Sequence, residues 1–68
     1  STVPEKLDLN FQPTDINVLI QDAIVKSGIE NLPKVQLVKE LQPVPKVMID
    51  PEYIEKVILN LIINAIEA

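Results

Sequence analysis

The residues of this chain whose types and spacing could do chemistry lie near its end: Asn60 and Asn64, four positions apart, with Lys56 before them and Glu67 after. At 100° per residue on a helix these four fall within about 80° of one another, while Ile54, Val57, Ile58, Leu61, Ala65 and Ala68 cover the opposite side. A side-chain amide both donates and accepts, and leaving one buried without partners costs about 1–3 kcal/mol. Two amides on one line of an otherwise apolar segment therefore predict a polar occupant for that face: a ligand, a metal ion or water. A second reading stays open on spacing alone, in which the pair bonds backbone or water, or fixes helix register at a seam between copies.

What else the chain contains narrows that chemistry. There is no His, which excludes histidine catalysis, and the single Gly28 excludes a glycine-rich phosphate loop, which needs several glycines at close spacing. The six lysines are scattered singly, there is no Arg, and the net charge is -4, so no basic footprint for nucleic acid is present. The absence of Cys excludes disulfide frameworks and thiolate metal sites and fits a reducing compartment, so a cytoplasmic location is expected. The run from Val57 to Ile66 is interrupted by both asparagines and falls far short of the roughly 20 residues of a membrane span. No signal peptide or internal repeat is visible.

Sixty-eight residues suffice for one small domain, and such a chain buries only about 60% of the surface its unfolded form exposes. Hydrophobic residues nevertheless make up 47% of it, and the mean hydropathy is +0.22. Some apolar surface is therefore expected to await a partner. The first residue is Ser, and the last apolar run reaches Ala68 without a Gly or Asn stop, so both ends read as cut points.

The elements that must position the asparagines follow from patterning. Leu7, Leu9 and Phe11 alternate with Asp8 and Asn10, predicting a strand that Pro13 ends. Thr14 or Asp15 then caps a helix with apolar positions Ile16, Leu19, Ile20, Ala23 and Ile24, stopped by Gly28. Asn31 to Pro33 connect to a second strand over 35–41, and Lys46 to Ile49 read as a third that pairs with it across the stiff Pro43 and Pro45. Asp50 and Pro51 are a strong helix start: the carboxylate caps free N–H groups, and Pro at the first position gives up a donor without a partner. The last helix runs from there to the end. The expected fold is α+β, in β-α-β-β-α order, with two helices on one face of a small mixed sheet.

The stretch Ile49-Asp50-Pro51-Glu52-Tyr53-Ile54-Glu55-Lys56-Val57-Ile58-Leu59-Asn60-Leu61-Ile62-Ile63-Asn64-Ala65-Ile66-Glu67-Ala68 resembles the N-box helix of sensor histidine kinases: an Asp, an apolar helix, then Asn-Leu-x-x-Asn-Ala. The upstream element order is similar to the first half of that ATP-binding domain. The resemblance implies that residues 1–68 are the N-terminal half of an ATPase sandwich, ending at the N-box helix. It implies that Asn64 ligates the Mg²⁺ bridging the nucleotide phosphates and that Asn60 makes a polar contact beside them. Asn60 also resembles in position a general-base Glu of related gyrase, chaperone and mismatch-repair ATPases; an amide cannot take up a proton, which favours a kinase over a hydrolase. Lys56 either faces the phosphates or pairs with Glu52 at i, i+4, and the pair is favoured. Glu67 departs from the family, many members of which carry Lys or Arg there, and would repel a phosphate unless a cation intervenes. Asp50 is expected as a helix cap and Tyr53 as packing rather than an adenine contact.

The family's Asp-x-Gly-x-Gly loop, its lid and its His-bearing helical hairpin do not occur in these residues. The resemblance therefore implies a parent kinase that binds Mg-ATP, phosphorylates its own histidine and passes the phosphoryl group to a response regulator. The chain by itself, without catalytic residues, is not expected to be active. The remainder of the kinase domain, a dimerising phosphoacceptor domain and the response regulator are the implied partners. The contrasting expectation is a small non-catalytic module that self-associates through apolar helix faces.

Overall fold

The computed structural model describes residues 8–68. It is a mixed α+β arrangement: strand β1 (Gln12–Thr14), helix α1 (Ile16–Ser27), a 3₁₀ turn (Ile29–Asn31), strand β2 (Val47–Ile49) and helix α2 (Pro51–Glu67). The two strands form one antiparallel ladder, with Gln12 opposite Ile49, Pro13 opposite Met48 and Thr14 opposite Val47.

Helix α1 begins where its sequence says it should. Asp15 is the N-cap, its Oδ1 accepting from the Asn17 N–H at 2.9 Å. At the other end Gly28 adopts φ +74°, the left-handed conformation glycine enters without a Cβ penalty, and its N–H donates to the Val25 carbonyl. Ser27 reinforces this stop, its hydroxyl donating to the Ile24 carbonyl and accepting from the Ile29 N–H. Among the described residues Leu19, Ala23, Ile24 and Ile29 are the buried apolar ones, so the core lies along one side of α1.

The strands differ from expectation in three ways. The paired part of the first strand is Gln12–Thr14 rather than the alternating stretch before it, of which Leu7 lies outside the described residues. Pro13 does not end this strand but sits within it. Among the described residues the sheet has two strands, so both are edges, where a residue without an N–H is tolerated. Residues 35–41 form no strand: the chain from Val35 to Lys46 is irregular and mostly exposed, and β2 takes β1 as its partner instead. Side chains tie this segment to α1, through Asn17 Nδ2 donating to the Gln42 carbonyl at 2.7 Å and Lys39 Nζ donating to Gln21 Oε1 at 3.3 Å. Period-two patterning specifies a face, not a partner, and Pro43 and Pro45 remove two ladder donors just where pairing with β2 would begin.

The body measures 41 × 37 × 15 Å, with a radius of gyration of 14.2 Å against about 11 Å for a compact chain of this length. Helix α2 has no fully buried residue, and Phe11, Val38, Met48 and Leu61 each remain more than half exposed. This plate shape is what the apolar load predicts for a chain that cannot close a core around itself. Among the described residues no helix is long and apolar enough to cross a membrane.

Candidate functional site

Helix α2 is anchored at its start by one carboxylate serving two segments. Asp50 Oδ1 accepts from the Tyr53 N–H at 3.0 Å, capping the helix, while Oδ2 accepts from the Asn10 N–H at 2.8 Å. Pro51 occupies the first turn, as expected. The bond from Asn10, followed by that from Tyr53, holds the Asp50 carboxyl below its usual range because both stabilise the ionised form.

From this anchor α2 extends over 17 residues, about 26 Å at 1.5 Å per residue. Its inner face is formed by the half-buried Ile54, Glu55, Ile58, Leu59, Ile62, Ile63 and Ile66, and α2 packs against α1. The expected apolar side is thus rotated. Ile54 and Ile58 belong to it, but Val57, Leu61, Ala65 and Ala68 are exposed. A helix apolar on almost every side leaves the choice of buried stripe to its neighbour, and α1 selects the one containing Leu59, Ile62 and Ile66.

Asn60 and Asn64 are both exposed, next to the exposed Lys56 and Glu67. The expectation of buried amides needing partners is therefore corrected: water can satisfy both, and no desolvation penalty forces a ligand onto them. Lys56 Nζ lies 3.7 Å from Glu52 Oε1, in the i, i+4 pair that the spacing favours, with both side chains largely in solvent.

Two shallow depressions flank this region. One, of about 210 Å³, is lined by Asp8, Leu9, Asp50, Glu52, Tyr53 and Lys56; the other, of about 300 Å³, by Lys26, Glu52, Glu55, Lys56 and Leu59. Lys56 touches both, and neither is lined by Asn60 or Asn64, whose part of α2 is open surface. Tyr53, which borders the first depression, is 42% exposed and so packs less than its sequence position suggests.

Two features escape a reading of the sequence. One is the bond from Asn10 to Asp50, between residues forty apart. The other joins the helices: Lys26 Nζ lies 2.6 Å from Glu55 Oε1. Glu55 Oε1 is shielded from solvent and lacks a well-directed hydrogen bond, but an ammonium at this distance is its counter-charge. The signal was present in the sequence, because Glu55 falls in line with Ile58, Leu59 and Ile62 at helical spacing, and a carboxylate there needs a cation from the opposing element.

Mg²⁺ takes oxygen ligands and keeps several waters. The exposed amide oxygen of Asn64 fits such an ion as a single neutral ligand. Among the described residues no group of three His, Cys, Asp or Glu is placed to hold a metal ion. Phosphate oxygens and water would have to complete the shell. No family model, curated protein or solved structure matches the chain.

Proposed function

We propose that this chain is the first half of the ATP-binding domain of a two-component sensor histidine kinase, ending on its N-box helix. The observation that supports the reading is the exposure of the motif: α2, capped by Asp50 and started by Pro51, packs on α1 with one face and leaves Asn60 and Asn64 in solvent on another. Buried amides would have been unavailable to phosphates.

In this reading Asn64 contributes one oxygen to a Mg²⁺ bound with the nucleotide, and Asn60 hydrogen-bonds on the phosphate side. Bound Mg²⁺ would neutralise phosphate charge, a task for which the chain's own side chains are poorly equipped. Lys56, engaged with Glu52 and exposed, has a secondary part in nucleotide binding, since a solvated i, i+4 pair exchanges readily for a phosphate oxygen. Asn60 is suited to orient rather than to abstract a proton, which favours phosphoryl transfer from ATP over its hydrolysis. The phosphoacceptor His and the adenine-binding residues belong to other segments of the parent, as do the contacts to the response regulator. The isolated chain binds neither ATP nor Mg²⁺ tightly and does not catalyse.

The test is made on the intact parent domain. Titration of ATP with and without Mg²⁺ is compared for the natural protein and for Asn64→Ala, with circular dichroism as the check on folding. Loss of Mg²⁺-dependent affinity in a folded variant supports the assignment; unchanged affinity overturns it.

A further inference from the structure

We draw no further inference here: the strongest candidate, the exposed stripe of Tyr53, Val57 and Leu61 along α2, is an unpartnered apolar face, and nothing in the structure shows what covers it.

Discussion

The ammonium of Lys26 and the carboxylate of Glu55 meet at 2.6 Å across the two helices, with the Lys side chain 62% exposed and the Glu side chain only 15%. The asymmetry sets the cost of breaking the pair. Lys26→Met leaves a shielded carboxylate without its counter-charge, whereas Glu55→Gln leaves a lysine free to turn into water. Chemical denaturation should show Lys26→Met to be the more destabilised of the two, and the double variant should recover part of that loss.

The same pair predicts a dependence on alkaline pH. The close polar contact with the Glu55 carboxylate at 2.6 Å, aided by its charge, raises the lysine above its ordinary value of 10.5. A group with a raised folded-state value contributes fully below its unfolded value and loses that contribution as pH rises through the folded one. Stability measured from pH 9 upward should therefore fall beyond about 10.5 in the natural chain. Lys26→Met should lack this component of the fall.

Asp50 predicts the acid limb. Its carboxyl is held below the usual 3.8, so its contribution is present above that value and is lost as pH falls through the lowered one. Asp50→Asn retains an oxygen for the helix cap but cannot accept both N–H groups through two equivalent oxygens. Nuclear magnetic resonance should show the Asn10 amide shifting strongly in this variant and α2 staying helical, while Asp50→Ala should also fray the first turn around Tyr53.

Gly28→Ala tests a backbone conformation in isolation. A Cβ at this position would meet nothing within 4 Å, so the whole cost is that of holding an L-residue at φ +74°. A loss of about 1 kcal/mol is expected in urea unfolding, and Gly28→Asn should lose less.

Leu19→Ala should be far more damaging. Leu19 is among the few buried side chains, and truncation of a buried leucine costs about 3 kcal/mol. A plate this small has little stability in reserve. The expected outcome is loss of the cooperative thermal transition followed by circular dichroism.

The helices were legible in the sequence because their signals are local. Asp15, Gly28, Asp50 and Pro51 each act through their own backbone or that of the next turn, and each does in the structure what its residue type predicts. The strands were less legible because a ladder is an agreement between distant segments. Alternation over 35–41 is real, yet no residue in it specifies β2 over another partner. The exposure of Asn60 and Asn64 is hidden from the sequence for a related reason: their apolar neighbours suggest burial, but only the position of α1 determines which side of α2 is covered. The salt bridge of Lys26 with Glu55 and the bond of Asn10 with Asp50 belong to the same class, since each depends on how two elements dock.

A body 15 Å thick has room for one thin layer of core, which lies along the side of α1 that carries Leu19, Ala23 and Ile24. The outer face of α2 that carries Lys56, Asn60, Asn64 and Glu67 stands in solvent, whose dielectric screening weakens whatever these groups attract. In the proposed metal role, an exposed amide such as Asn64 would compete with the ion's own hydration shell. A roof of further protein over α2 would tilt that contest by excluding the competitor rather than by adding a stronger ligand.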